Sequence, residues 1–200
     1  RIPAGAMTGN GDLAVVFDND EKDLVIYISK CDFWKFTSGA HKDGGIKAVG
    51  NLRIGNVDLS KYNIKQYFDK GLLVCRFGNV QAELFVASEN LIYFEIKVPE
   101  TEEVPSVDIE MPNTCGSKNS SSDDDGVKCL ARKFEGENID RESAVALCLR
   151  EIDSNNSNGF RCVRYCVSAA TNFDDEKYVR IISEAKKYGL IVLTHAGPDI

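Results

Sequence analysis

Short stretches in which apolar and polar residues alternate recur along most of this chain. In Leu91–Val98, Phe94 and Ile96 fall on one side while Glu95 and Lys97 fall on the other. A period of two residues is typical of a half-buried strand. Comparable stretches predict strands at Leu13–Phe17, Leu24–Ser29, Leu52–Val57, Tyr62–Phe68, Leu72–Phe77, Val80–Val86, Leu91–Val98, Val107–Met111, Lys128–Phe134, Ala144–Arg150 and Arg161–Ala169. Many short strands joined by turn residues predict a mainly β fold, an antiparallel β-sandwich.

Turn signals separate these strands. Gly78-Asn79 lies between two of them and predicts a hairpin. The segment 112–126, PNTCGSKNSSSDDDG, is polar and of low complexity and predicts a loop. Its three consecutive aspartates lack the spacing of an EF-hand and indicate a solvated acidic turn. Ser154–Gly159 predicts a second turn.

The C-terminal stretch has a helical pattern. Asn172 is a suitable N-cap for FDDEKYVRIISEAKKYG, in which Val179, Ile182 and Ala185 form one apolar stripe and Gly189 is a natural stop. We therefore expect a β-sandwich domain over residues 1–171 and, over 172–200, a helix and linker toward a further domain.

Charge and hydropathy exclude two classes of partner. The chain has 200 residues and a formal net charge of -7. No cluster of Lys and Arg suits nucleic acid. No apolar run is long enough to span a bilayer. We therefore expect no nucleic-acid partner and no membrane partner.

The seven cysteines show no CxxC pair, and their odd number leaves at least one free thiol. Cys162 and Cys166 are four residues apart in a predicted strand, too far for a shared bridge. The favoured interpretation is small buried apolar residues in a reducing compartment. A bridge between Cys115 and Cys129 is the alternative.

The turn Gly9-Asn10-Gly11-Asp12 precedes a strand. It is not a phosphate-binding loop, because no Gly-Lys-Ser/Thr follows, and it is not a dinucleotide fingerprint, which requires a following helix. Gly9 and Gly11 indicate a tight turn at a strand start.

A second candidate lies in YISKCDFWKF, where Asp32 and Trp34 follow a strand with Lys30 and Lys35 nearby. An indole beside carboxylates and amines suits carbohydrate, because sugar rings offer an apolar C–H face and hydroxyls that need partners. A core tryptophan that merely packs is the other interpretation, and both stay open.

No catalytic, metal-binding or cofactor-binding motif emerges. His41 and His195 are far apart in sequence, and no zinc-ligand spacing occurs. We assign no catalytic residue, metal or cofactor to this chain.

The stretch IPAGAMTGNGDLAVVFDNDEKDLVIYISKCDFWK resembles the N-terminal supersandwich-like β domain of bacterial glycoside hydrolases with an (α/α) barrel catalytic domain. These enzymes include the α-L-fucosidase-like and maltose-phosphorylase-like clans. The resemblance rests on Gly9-Asn10-Gly11, Leu13, Asp32 and Trp34, and VSAATNFDDEKY at 167–178 resembles the exit of such a domain.

The resemblance implies that the general acid and base lie on a helical barrel of the same polypeptide, so this chain alone has no turnover. It implies that the domain packs on the barrel and completes its sugar pocket. The residues expected to contact carbohydrate are Asn10, Asp12, Asp32 and Trp34. It also implies a secreted or periplasmic enzyme, whereas the cysteines favour a cytoplasmic one.

The alternative function is a free-standing carbohydrate-binding or protein-interaction module. Its aromatic surface would come from Tyr27, Phe33, Trp34 and Phe36.

Overall fold

The computed structural model describes residues 5–20, 22–37, 43–55 and 57–174. Their strands form two antiparallel sheets. The first has five strands in the order β1-β2-β3-β4-β9. Its strands are β1 (Met7–Gly9), β2 (Leu13–Asn19), β3 (Leu24–Lys35), β4 (Gly45–Ile54) and β9 (Val107–Glu110).

The second sheet has eight strands in the order β10-β11-β12-β13-β8-β7-β6-β5. Its strands are β5 (Tyr62–Tyr67), β6 (Leu72–Phe77), β7 (Val80–Val86), β8 (Leu91–Pro99), β10 (Lys118–Asp124), β11 (Val127–Phe134), β12 (Ser143–Ser157) and β13 (Phe160–Thr171). A short 3-10 helix, Leu59–Lys61, precedes β5.

The core lies between the two sheets because alternate side chains of both face inward. Phe17 and Ile26 of the first sheet and Phe94 and Leu147 of the second belong to one buried cluster. The other face of the eight-stranded sheet carries a smaller apolar cluster that includes Leu91. This arrangement is the predicted antiparallel β-sandwich, with apolar side chains of both inner faces in contact.

Most predicted strands are confirmed, with shifts at their ends. The hairpin at Gly78-Asn79 is also confirmed, because Phe77 pairs directly with Val80. The predicted C-terminal helix, His41 and His195 lie outside the described residues. Within the described ranges, no helix is long and apolar enough to cross a membrane.

Two predicted loops are shorter than expected, because part of each segment is strand. Segment 112–126 contains β10, and β12 continues to Ser157, so that the turn is confined to Asn158-Gly159. Every residue of β10 is exposed, and so is the distal half of β12. The alternation of polar and apolar residues marks a strand only when one face is buried, so these strands carry no such pattern.

The cysteine interpretation also needs correction. Cys129 of β11 is bonded to Cys148 of β12, its direct partner across the two strands. Cys115, the predicted partner of Cys129, has a free thiol. Cross-strand register therefore determines this pairing, and register is not visible in cysteine spacing.

A buried cation joins the two sheets. Arg132 of β11 is only 2% exposed. Its Nη1 donates to the carbonyl of Ala48 on β4 at 2.8 Å, and its Nη2 donates to the carbonyl of Thr114 at 3.0 Å. Its guanidinium lies 5.0 Å from the ring centroid of Phe134 and 5.9 Å from that of Phe33. Burial lowers the pKa of Arg132, so carbonyl and aromatic contacts must offset its desolvation.

Replacing Arg132 should therefore destabilise the sandwich. We expect Arg132→Ala to lower the free energy of unfolding by about 3 kcal/mol, because it leaves a cavity and two carbonyls without donors. Arg76→Ala, at the exposed position of β6, is the matched control and should change this free energy by less than about 0.5 kcal/mol. Urea unfolding measures both, and equal midpoints for the two variants would contradict the assignment.

Buried thiols should make the fold sensitive to alkali. Burial raises the pKa of Cys75 and of Cys166 from 9.0 to about 12. The unfolded chain therefore loses these protons first, and stability should fall by about 1.4 kcal/mol per pH unit per thiol above pH 9. Urea midpoints between pH 8 and about 10.5 should fall less steeply in Cys75→Ala/Cys166→Ala; an unchanged slope would refute this origin.

Candidate functional site

Three segments that are distant in sequence meet beside β3. They are the turn Gly9–Asp12, the distal part of β3 from Lys30, and the chain after β13 up to Asp174. The Nζ atom of Lys30 contacts carboxylates from all three segments. We name these four residues the lysine–carboxylate cluster: Lys30, Asp12, Asp32 and Asp174.

The geometry of Lys30 matches its donors to its partners. Lys30 is 1% exposed. Its Nζ lies 2.9 Å from Asp12 Oδ2, 2.9 Å from Asp32 Oδ2 and 2.8 Å from Asp174 Oδ1. An ammonium has three N–H donors, so each carboxylate can receive one. Burial alone would lower the pKa of Lys30, but its hydrogen bonds to Asp174, Asp12 and Asp32 raise it.

The conformation of the turn before β2 explains why Gly9 and Gly11 are both glycines. Asn10 Oδ1 accepts from the backbone N–H of Asp12 at 3.0 Å and of Leu13 at 2.8 Å. Gly11 has φ of 98°, a conformation that side chains with a Cβ rarely adopt. A Cβ on Gly9 would lie 2.6 Å from the carbonyl oxygen of Leu13. The Gly-Asn-Gly sequence thus shapes a tight turn that orients Asp12 toward Lys30.

The loop before β8 holds this turn in place. Asn10 Nδ2 donates to the carbonyl of Ala87 at 2.7 Å and to Asn90 Oδ1 at 2.9 Å. Asn90 Nδ2 in turn donates to Asp12 Oδ2 at 2.6 Å. The amide of Asn10 therefore uses both its donor hydrogens and both its acceptor positions within the protein.

The carboxylates differ in their electrostatics. Burial raises the pKa of Asp12, but hydrogen bonds from Cys31, Lys30 and Asn90 outweigh burial and hold it below 3.8. Burial raises the pKa of Asp174 more than its bonds with Lys30 and the Thr171 N–H lower it. When ionised, three carboxylates and one ammonium leave two negative charges in excess.

The neighbouring thiol is held in its neutral form. Cys31 Sγ lies 2.9 Å from Asp12 Oδ1. This hydrogen bond is the main cause that raises the pKa of Cys31 to about 11, and burial of the thiol acts in the same direction. The thiol therefore stays protonated at neutral pH and donates to Asp12.

An aromatic surface adjoins the cluster. Trp34 is 40% exposed, and its Nε1 donates to the carbonyl of Cys31 at 2.6 Å. Its ring centroid lies 6.5 Å from that of Phe36, and Phe36 lies 5.9 Å from Phe173. The guanidinium of Arg141 lies 4.3 Å from the ring centroid of Phe173. We name Trp34, Phe36 and Phe173 the aromatic platform.

The four residues predicted to contact carbohydrate fall into two groups. Asp12 and Asp32 meet at Lys30, next to the exposed Trp34. Asn10 is hydrogen-bonded to Asn90 and stabilises the turn. Phe33, predicted for the aromatic surface of a free-standing module, is fully buried; this part of the prediction is wrong, because Phe33 packs against Phe134 in the core.

Sequence reasoning missed the centre of the cluster. Lys30 continues the inward phase of Ile26 and Ile28 in β3, both fully buried. A lysine in phase with buried isoleucines was the available signal for a buried cation. The carboxylate of Asp174 accepts hydrogen bonds from Lys30 Nζ and from the Thr171 N–H. Nothing in the sequence pattern pairs it with β3.

The convergent carboxylates do not form a metal centre. Among the described residues, no group of three or more His, Cys, Asp or Glu side chains could hold a metal ion. The Lys30 ammonium lies between the three carboxylates and supplies their positive charge. The cluster thus holds together the surface at which Trp34 is exposed and Phe36, Phe173 and Asp32 are partly exposed.

Comparisons with known proteins add no family. The sequence matches no protein-family model and no curated protein. The geometry of the site and the resemblance of its motifs are therefore the observations that bear on function.

Replacing Lys30 should destabilise the fold, because three carboxylates would lose their shared cation. We expect Lys30→Met to lower the free energy of unfolding by about 3–5 kcal/mol at pH 8, because removing one member of a buried ion cluster leaves uncompensated charge. Lys65→Met, at an exposed position of β5, should have little effect. Urea unfolding of both variants tests this expectation.

The destabilisation caused by Lys30→Met should be smaller at acidic pH. In the wild type the raised pKa of Lys30 means that its contribution is fully present below 10.5. In Lys30→Met the carboxylates repel each other, so their pKa values rise and the folded state gains protons as pH falls. The difference between wild type and variant should be smaller at pH 5 than at pH 8, and a pH-independent difference would contradict the cluster's electrostatics.

Proposed function

We propose that this chain is the N-terminal accessory domain of a carbohydrate-active enzyme, a glycoside hydrolase with a helical-barrel catalytic domain. The domain packs on the barrel and completes its sugar pocket. The observation that carries the proposal is an exposed tryptophan beside a carboxylate that belongs to an ion cluster centred on buried Lys30. Both residues, Trp34 and Asp32, belong to the motif that resembles these enzymes.

Trp34 has the properties of a sugar-stacking residue. Its indole is fixed by the bond from Nε1 to Cys31, and 40% of the side chain stays exposed. An aromatic face that is exposed and already ordered can pack on the C–H face of a sugar ring with little loss of side-chain entropy.

Asp32 retains capacity for a hydroxyl. Its Oδ2 accepts from Lys30 and from Thr171 Oγ1, whereas its Oδ1 accepts from Lys30 among the described residues. Asp12 accepts four contacts, from Lys30 on both oxygens and from Cys31 and Asn90. A carboxylate has about four acceptor positions, so Asp32 is the better partner for a sugar hydroxyl and Asp12 supports it.

The motif positions converge in space. Gly9-Asn10-Gly11, Asp32 and Trp34 in the N-terminal part meet the Thr171–Asp174 segment at the cluster. Asp174, the last described residue, lies at this same surface, so the chain leaves the described part of the sandwich beside the platform. This placement supports a pocket shared between the two domains, with the acid and base on the barrel.

The first experiment joins this chain to the helical domain that the proposal expects beyond Ile200. In the joined protein, Trp34→Ala should weaken sugar binding at least tenfold, about 1.4 kcal/mol. Phe68→Ala, which removes an aromatic side chain that is 85% exposed, is the matched control and should leave affinity unchanged. Calorimetry with mono- and oligosaccharides measures both, and circular dichroism confirms that each variant folds.

Two outcomes would oppose the proposal. Equal affinity in wild type and Trp34→Ala would remove the pocket role. A reading frame without a helical domain, together with saturable binding by this chain alone, would favour the free-standing module. The exposed platform gives that module its support, and the fluorescence of Trp34, the single tryptophan, would report such binding directly.

A further inference from the structure

A second concave surface lies on the outer face of the eight-stranded sheet. Glu83 and Phe85 of β7 alternate with Ala82 and Leu84, which belong to the core, so they point away from it. A cavity of about 240 Å³ opens on this face. We name it the outer hollow; its walls include Glu83, Phe85, Tyr93, Glu95, Ile152 and Arg164.

Two aromatic side chains form one wall of the outer hollow. Phe85 pairs with Tyr93 across β7 and β8. Their ring centroids are 5.2 Å apart, with an interplanar angle of 22°. Phe85 is nevertheless 42% exposed. The stacked pair presents an ordered aromatic face to solvent on two central strands, where backbone motion is restricted.

A row of charged residues lies one strand step away. Glu83 pairs directly with Glu95, and Glu95 pairs directly with Arg164. Like charges in direct register are destabilising in a sheet. Arg164 Nε donates to Glu95 Oε2 at 2.7 Å, whereas Glu83 accepts from the neutral amide of Gln81 at 2.6 Å. The two carboxylates therefore line the outer hollow side by side, and Arg164 contacts Glu95 from the strand on its other side.

A bulge shapes the far rim. The register of β12 against β13 shifts between Glu151 and Asp153. Ile152 lies at this irregularity, is 38% exposed and borders the outer hollow. Bulges often redirect a side chain at functional sites, and this one adds an apolar edge opposite the aromatic pair.

The chemistry of these walls selects a class of ligand. The two carboxylates and one guanidinium leave one negative charge in excess, and Arg164 is also paired with Asp153. This negative balance disfavours phosphate or an acidic sugar. The volume is below the roughly 300–1,000 Å³ of sites for drug-sized ligands. A neutral sugar ring fits both constraints, because it packs its C–H face on an aromatic ring and donates neighbouring hydroxyls to two carboxylates.

We propose that the outer hollow is a second carbohydrate-binding site, which takes one neutral sugar ring stacked on Phe85 with hydroxyls donated to Glu83 and Glu95. The site is separate from the aromatic platform. The platform is built from β3 and the chain after β13, whereas the outer hollow lies on the outward face of β7, β8 and β13.

The test uses the Trp34→Ala chain, in which the platform is disabled. Neutral methyl glycosides of glucose, galactose, mannose and fucose are titrated while backbone amide shifts are recorded by NMR. We expect saturable shifts in β7, β8 and β13 with at least one glycoside. Adding Phe85→Ala should weaken this binding at least tenfold, and adding Glu83→Gln should weaken it severalfold.

Phe68→Ala in the same background is the control and should leave the shifts unchanged. Phe85 is partly exposed, so its replacement should preserve the fold, which a matching urea midpoint verifies. Absence of shifts at millimolar glycoside, shifts that survive Phe85→Ala, or equal shifts with glycerol would each overturn the site. Binding at the platform is measured separately by Trp34 fluorescence in the wild type, so either site can fail without the other.

Discussion

The buried ammonium of Lys30 is the constraint on which the candidate site depends. A lysine that is 1% exposed can stay charged only if carboxylates replace its water. The three that do so come from the N-terminal turn, from β3 itself and from the chain just after β13. Satisfying one cation therefore brings the first and last described segments of the chain to the same place. The tight Gly-Asn-Gly turn and its bonds to the loop before β8 follow from that requirement.

The cluster also explains why the surface above it is ordered. Cys31 lies between Lys30 and Asp32, donates to Asp12 and accepts the indole N–H of Trp34. The indole is thus connected to the buried ions through one residue. Trp34 can stay exposed without being mobile, which is what a stacking residue for carbohydrate requires. The excess negative charge beneath it suits a ligand that donates hydrogen bonds.

Arg132 has a different role on the same sandwich. Its charge is met by carbonyls and aromatic rings instead of carboxylates, and its contacts cross from the eight-stranded sheet to the five-stranded sheet. The two buried cations therefore have different structural roles. Arg132 joins the two sheets, and Lys30 joins three chain segments at one surface. Neither cation lies at the outer hollow. That site is built on central strands whose opposite faces pack in the core.

Local pattern by itself determined the antiparallel β-sandwich, most of its strands and the Gly78-Asn79 hairpin, because a half-buried strand must alternate its side chains. It also marked Asp32 and Trp34 as a candidate site, and the resemblance of the motifs added Asn10 and Asp12. Only the tertiary structure decided that Asp12 and Asp32 share Lys30 with Asp174, that Phe33 is core while Trp34 is exposed, and that Cys129 pairs with Cys148. Those facts depend on strand register and on contacts between distant segments. The exposed strand β10 shows the same limit, because its backbone pairs with β11 while all its side chains are exposed, so that no alternation of polar and apolar residues marks it.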